Sequence, residues 1–198
     1  MNLEPVTLQG QHARLEPLHL DHANALSEAV QDGELWKLWY TAIPTPAAML
    51  GEVQRRLDLQ TSGSMLPFAV IHLPDERMAG MTTYMHIDSA NRRLEIGSTW
   101  YRQSLQRTAL NTECKRMLLG HAFEQLDCIA VEFRTHWHNS ASRRGIERLG
   151  AKLDGVLRSH QIAANGSLRD TCVYSILASE WPAVRAYLDH ALSTPRRP

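Results

Sequence analysis

The sequence predicts an α/β (α+β) protein, a mixed central sheet flanked by helices, and three observations carry that reading. A strand, a short polar turn, a helix and a second strand follow one another from Glu95 to Thr135. Hairpin connections occur on either side of this run, at Pro74-Asp75-Glu76-Arg77 and at Ala164-Asn165-Gly166-Ser167. Amphipathic stretches of helical period separate the remaining strands.

Taken in order, Thr7 to Leu18 reads as a first strand, with Leu8, Leu15 and Leu18 flanked by polar residues. Asp21 is placed to cap a helix through about Val30, and Ala48 to Leu59 gives a second helix that ends at Ser62-Gly63-Ser64. Pro67 to Leu73 and Met78 to Tyr84 form the first hairpin. Leu94, Ile96 and Trp100 alternate with Arg93, Glu95 and Thr99, so Arg93 to Tyr101 is a strand. By alternation Glu95, Gly97, Thr99 and Tyr101 share one face. Leu110, Cys114, Met117, Leu118, Ala122 and Phe123 place a helix to about Leu126, and Ile129, Val131 and Phe133 mark the next strand. A strand, crossover helix and strand in this order predict a parallel pair. Asn139 opens a helix through Leu149, with Gly150 suited to the left-handed position after it. Strands at about Lys152 to His160 and Leu168 to Leu177 follow, then a helix from Trp181-Pro182 to about Leu192. Pro195-Arg196-Arg197-Pro198 reads as a frayed end.

The 198 residues suit one domain over the whole chain, 1–198, with no internal repeat or linker. Lysine plus arginine and aspartate plus glutamate each number 21, which argues against bulk capture of nucleic acid or an anionic membrane. Cys114, Cys128 and Cys172 show no CxxC spacing and are expected to be reduced and packed. The N-terminus lacks a basic region followed by an apolar run, and no apolar run reaches membrane-spanning length, so a cytoplasmic location is expected. His136 and His138 flank Trp137 without a third ligand at suitable spacing, so no metal is expected.

The turn between strand and helix is where chemistry concentrates. A strand passing into a helix leaves turn amides and the first helical N–H groups without intrahelical partners, and the helix dipole adds positive potential there. The stretch either cradles a pyrophosphate or is an ordinary capped turn. Gln106-Arg107-Thr108-Ala109-Leu110-Asn111 resembles the Gln/Arg-x-x-Gly-x-Gly/Ala signature of the GNAT N-acetyltransferases, which wraps the pyrophosphate of acetyl-CoA. Asn111-Thr112-Glu113-Cys114-Lys115 is similar to the branch of that family containing the ribosomal-protein N-terminal acetyltransferases (RimJ/RimL-like). Ala109 and Asn111 depart from the signature, and alanine fits only if the turn is right-handed at that point. Asn139-Ser140-Ala141-Ser142-Arg143, followed by Leu149-Gly150-Ala151, resembles the family's Asn-x-x-Ser-Arg segment and its ending. Asp154-Gly155, Arg158-x-His160 and Arg169-Asp170-Thr171 resemble the same branch.

The resemblance implies the GNAT acyl-CoA N-acyltransferase fold, acetyl-CoA (coenzyme A) as co-substrate and an amine acceptor. It implies a cofactor site at Thr99, Trp100, Tyr101, Gln106, Arg107, Thr108, Ala109, Leu110, Asn111, Thr112, Asn139, Ser142 and Arg143. Asn139 and Ser142 equally suit a helix cap, and the two roles are compatible. Acetyl transfer needs a neutral amine, a polarised carbonyl and a proton acceptor. Glu95, on the strand entering the turn, is the candidate base, or else a strand residue in a structural ion pair. Ser142 and then Tyr101 are candidates to meet the leaving thiolate. The run Leu35-Trp36-Lys37-Leu38-Trp39-Tyr40 is either core packing under a loop or a wall of the acceptor site, which His136, Trp137 and His138 would also line. A non-catalytic acyl-CoA-binding module is the alternative function. The acceptor's identity and the oligomeric state are not written in the sequence.

Overall fold

A computed structural model describes Met1 and residues 3–194; Asn2 and the Pro195-Arg196-Arg197-Pro198 tail lie outside the described residues. Its eight strands are β1 (Leu8–Gln9), β2 (Ala13–Pro17), β3 (Met65–His72), β4 (Arg77–Asp88), β5 (Arg93–Tyr101), β6 (Ala130–His136), β7 (Lys152–Ile162) and β8 (Leu168–Leu177). The helices are α1 (Ala23–Gln31), α2 (Met49–Thr61), α3 (Leu110–Gly120), α4 (Ser140–Arg148) and α5 (Trp181–Ser193). One sheet runs in the order β1-β2-β3-β4-β5-β6-β8-β7, antiparallel except where β5 and β6 pair parallel. This is the mixed sheet and the parallel crossover that the periodicities predict.

Alternation along the strands divides the core between the two faces. Leu94, Ile96, Val131, Phe133, Tyr174 and Ile176 pack with Cys114, Leu118 and Ile146 beneath α3, α4 and α5. Ala69, Ile71, Met81 and Trp100 pack with Leu26, Val30, Met49 and Val53 from α1 and α2. All three cysteines are free and buried. No helix among the described residues is long and apolar enough to cross a membrane.

Four local expectations need correction. The single strand expected from Thr7 to Leu18 is a hairpin, with Leu8 opposite Leu15. Its turn is pinned by the Glu113 carboxylate, which accepts from the amides of Gln11 (2.8 Å), His12 (2.7 Å) and Ala13 (2.8 Å). A Cβ on Gly10 would stand 2.4 Å from Glu113 Cδ, so glycine lets the chain pass that close. Asp21 does not cap α1; a short 3-10 turn, Leu20–His22, precedes it, and the His19 amide donates to His22 Nδ1 at 3.2 Å. The helix expected to run to Leu126 leaves the α geometry after Gly120 and ends as a π segment, His121–Gln125.

The fourth concerns β5. Thr83 pairs with Gly97 but Met81 pairs with Trp100, so β5 carries one extra residue, and Ser98 takes φ 47°. This bulge reverses the alternation, since a one-residue slip exchanges faces. Tyr101 therefore packs with Leu94 and Ile96, while Trp100 packs against α1 and α2. Glu95 does not share a face with Thr99 and Tyr101.

Candidate active site

The sheet opens where β5 meets β6. Their pairing covers only Arg93↔Ala130, Leu94↔Val131 and Glu95↔Glu132, although β5 continues to Tyr101 and β6 to His136. The backbone of β5 beyond Glu95 thus turns one edge toward a gap rather than toward a ladder partner. Such a gap leaves strand N–H groups available to a ligand.

Glu95 sits at the closed end of this opening and is 4% exposed. A second bulge, in β4, gives His86 φ 47° and brings its Nδ1 to 2.8 Å from Glu95 Oε2. Arg134 Nε lies 3.5 Å from the same oxygen. Burial raises the Glu95 pKa above the ordinary carboxylate range, and contact with His86 and Arg134 opposes it only in part. Arg134 is shared with Glu132 (2.9 Å), which Arg93 also holds at 2.7 Å. Glu95 is therefore a desolvated carboxylate with a hydrogen-bonded route to a half-open histidine, an arrangement suited to accepting a proton.

Between β5 and α3 the chain makes a 3-10 turn, Gln103–Leu105, before reaching the cradle. Arg107 adopts φ 62°, and Ala109 adopts φ −69° and ψ −21°, the right-handed conformation that alanine requires there. Thr108 Oγ1 donates to the Leu105 carbonyl at 2.7 Å and accepts from the Leu110 amide at 3.3 Å. The Glu113 amide donates to Ala109 O at 3.0 Å, which sets the positive end of α3 at this turn. Gln106 Nε2 reaches the Tyr101 carbonyl at 3.4 Å, tying the loop to the strand end. Arg148 Nη1 donates to Thr112 Oγ1 at 3.1 Å, which brings a guanidinium to the same helix end. The cradle thus offers backbone donors and a nearby cation, as a pyrophosphate needs.

The side chains of Trp100 and Leu110 are buried in the core, so the main chain is what they present to the site. Thr99 Oγ1 is engaged by Thr82 Oγ1 (2.8 Å) and Lys115 Nζ (2.9 Å). Tyr101 Oη is enclosed beside the Cys114 thiol with no oxygen or nitrogen partner among the described residues, and burial holds its pKa well above the phenolic range. Burial also pushes the neighbouring Cys114 thiol up to about 12, which suits packing and not a covalent acyl carrier.

At the mouth of β6, Asn139 Oδ1 accepts from the Ser142 amide at 3.0 Å, the helix cap that the sequence suggests for α4. Gly150 takes φ 96° at its other end. Arg143 lies over the Trp137 ring, 4.3 Å from the centroid, and donates from Nε to Tyr174 Oη at 3.1 Å. Trp39, 53% exposed, packs its ring 5.1 Å from His136 and 5.8 Å from His138, with Tyr40 beside them. The aromatic run of the first loop and the His-Trp-His segment, far apart in sequence, are thereby joined into one wall. His136 Nδ1 accepts from the His138 amide at 3.0 Å, and His136 Nε2 is enclosed without a hydrogen-bond partner among the described residues. Burial lowers the His136 pKa, so the ring favours its neutral form. An Asn139→Ala variant should lose about 1 kcal/mol in denaturant unfolding from the cap alone. Weaker CoA binding by calorimetry in the same variant would add a cofactor contact to that structural role.

Sequence reasoning missed His86, Arg134, Arg56 and Lys115. Arg56 follows Met49 and Val53 at spacings of seven and three, and Lys115 precedes Leu118, Leu119 and Ala122 by three, four and seven. A cation inside an apolar helical stripe was the available signal. His86 had none, because a bulge is not visible in an alternating pattern.

With this geometry in place, the comparisons with known proteins are specific. The sequence profile of the acetyltransferase (GNAT) domain matches residues 12–152. A Bacillus subtilis protein provisionally named ribosomal N-acetyltransferase YdaF is 32% identical over 109 residues; the match spans 55% of this chain and 58% of YdaF. A GCN5-related N-acetyltransferase from Brucella melitensis superposes with a TM-score of 0.86 at 31% identity, covering 96% of this chain and 87% of that one. RimJ of Mycobacterium smegmatis, solved in complex with CoA-disulfide, gives a TM-score of 0.80 at 21% identity over 94% of this chain and 95% of its own, a likeness of fold.

Proposed function

The chain belongs to the GNAT acetyltransferase family, and from that premise we propose that it is a single-domain, acetyl-CoA-dependent N-acetyltransferase acting on a primary amine by direct attack. The observation that carries this reading is Glu95, a buried carboxylate of raised pKa at the closed end of the opening between β5 and β6. Glu95 is also ion-paired with His86 and Arg134, and service as a base adds a catalytic role to that structural one.

In this reading acetyl-CoA supplies the activated acyl thioester. The amides at the start of α3 and the Arg107–Ala109 turn hold the pyrophosphate, with Gln106, Arg107, Thr108, Ala109, Asn111 and Thr112 as its neighbours. The β5 backbone from Gly97 to Tyr101 offers N–H groups to the carbonyl oxygen, where negative charge develops. Glu95 takes a proton from the acceptor ammonium, directly or through one water, and frees the nitrogen lone pair. A carbon–nitrogen bond then forms as the carbon–sulfur bond breaks; the sulfur leaves with the bonding pair and takes up the second proton, which the nitrogen sheds as it becomes an amide. Ser142, beside Asn139 at the start of α4, is the candidate to hydrogen-bond that sulfur. The wall of Trp39, Tyr40, His136 and His138 receives the acceptor.

Thiol release measured across a panel of amines tests the proposal. The panel spans peptides with free N-termini, amino acids, polyamines and aminoglycoside-like amines. The name carried by YdaF, a ribosomal N-acetyltransferase, puts ribosomal acceptors first among them. Cofactor binding with no turnover on any amine would make the chain an acyl-CoA-binding module instead. The cofactor half has its own check. Ala109→Asp sets a carboxylate against the pyrophosphate and should weaken CoA affinity by at least about tenfold, or 1.4 kcal/mol. Unchanged affinity in a folded Ala109→Asp protein would remove the cradle from the site.

A further inference from the structure

Two enclosed basic side chains play no part in the chemistry above, and both end at the same point of β5. From one face of the sheet Arg56 of α2, 2% exposed, donates from Nη1 to Thr83 Oγ1 at 2.7 Å and from both Nη atoms to the Ser98 carbonyl at 3.3 Å. Its Nε is paired with Glu52 at 2.7 Å. From the other face Lys115 of α3, 5% exposed, donates from Nζ to Thr82 Oγ1 at 3.1 Å and Thr99 Oγ1 at 2.9 Å. Ser98 and Thr99 are the residues between the Gly97 and Trp100 pairings, the bulge itself, and Thr82 is the β4 residue opposite them. The bulge is thus held from above and below.

Holding it this way is costly. Burial lowers the pKa of both groups, that of Lys115 to about 8, and no carboxylate acts on Lys115 among the described residues. An apolar side chain in place of such a buried charge is often neutral or stabilising. Support of the fold therefore does not account for Lys115. What its position does account for is the direction of the β5 backbone. Beyond Glu95 that strand has lost its β6 ladder, and a left-handed residue at Ser98 without lateral hydrogen bonds would leave the following amides free to turn.

Resting on the acetyl-transfer reading, we propose that Arg56 and Lys115 are positioning residues, a two-sided clamp on the Ser98–Thr99 bulge that aims the β5 amides at the acyl carbonyl. The clamp also brings positive charge to within one strand residue of those amides, in surroundings where water screens it little.

The decisive measurement is the infrared carbonyl band of a carbon-13-labelled ketone analogue of acetyl-CoA, with methylene in place of sulfur, bound to the protein without any acceptor. In Lys115→Met the band should move back toward its free-solution frequency while analogue affinity stays within about threefold of wild type. Turnover of an accepted amine should fall about 10- to 100-fold in kcat with little change in KM for acetyl-CoA. The melting temperature should hold or rise, an outcome opposite to that of a structural support. If Lys115→Met does not fold, Thr99→Val removes the anchoring hydroxyl at nearly constant shape and should give the same band shift. A wild-type band position in a folded Lys115→Met protein, or a kcat loss that only follows a lowered melting temperature, overturns the clamp. Wild-type protein that does not bind the analogue would overturn both the acetyl-CoA reading and the clamp. Wild-type protein that binds it but turns over no amine overturns only the catalytic reading, and the band shift still decides the clamp.

Discussion

Glu95→Gln is expected to lower kcat on the order of 10²–10⁴-fold with cofactor affinity preserved, because the amide keeps the carboxylate's shape and removes its basicity. The pH profile carries the sign. A general base works in its ionised form, so wild-type turnover should rise with pH through the pKa that burial has raised. That ascending limb should vanish in the variant. Stability should move the other way. A carboxyl whose pKa is higher in the folded protein than in the unfolded chain keeps its proton longer on folding. Its contribution is fully present below the unfolded value and is lost as pH rises through the raised one. Glu95→Gln should thus hold or gain thermal stability at neutral pH. A folded variant with full activity and an unchanged profile would remove Glu95 from the chemistry and leave the amine to arrive already neutral.

Glu113→Ala should produce the largest loss of stability, about 3 kcal/mol or more, since it strips a common acceptor from the amides of Gln11, His12 and Ala13. Equilibrium unfolding in denaturant measures it, and faster hydrogen exchange at those three amides would locate it. A loss below about 1 kcal/mol would mean that water re-satisfies the turn and that the pin is ornamental. The same pin explains how a carboxylate is tolerated in the first turns of a helix that reads as an anion site. Glu113 is turned toward the β1–β2 hairpin, where three N–H groups absorb its charge.

The cap at Asn139, the glycine at 150 and the turn of the terminal hairpin were legible in the sequence because each depends on residues within a few positions of one another, and the parallel pair around α3 follows from the order strand, helix, strand. The turn between β5 and α3 was legible for the same reason as the cap, including the right-handed Ala109. What escaped depends on partners far along the chain. The turn between β1 and β2 exists because of a glutamate about a hundred residues away. The bulges at His86 and Ser98 break an alternation that pattern reading assumes to be regular, so Glu95 was placed on its strand with the wrong neighbours. Arg56 and Lys115 resemble solvated helix charges until the sheet closes over them. The wall built from Trp39, Tyr40, His136 and His138 could be suspected from two separate segments but not assembled.

The buried cysteines have a practical consequence. Cys114, Cys128 and Cys172 are all enclosed, and burial pushes the first two up to about 12 and about 11 and raises the third. Thiolates, not thiols, react with disulfide dyes, so the native chain is nearly silent to such a reagent. Coenzyme A set free in a turnover assay can therefore be read by colour against almost no background from the enzyme. The same dye becomes a clock when no substrate is present: three equivalents of colour appear only as fast as the molecule opens, and their rate reports its kinetic lifetime.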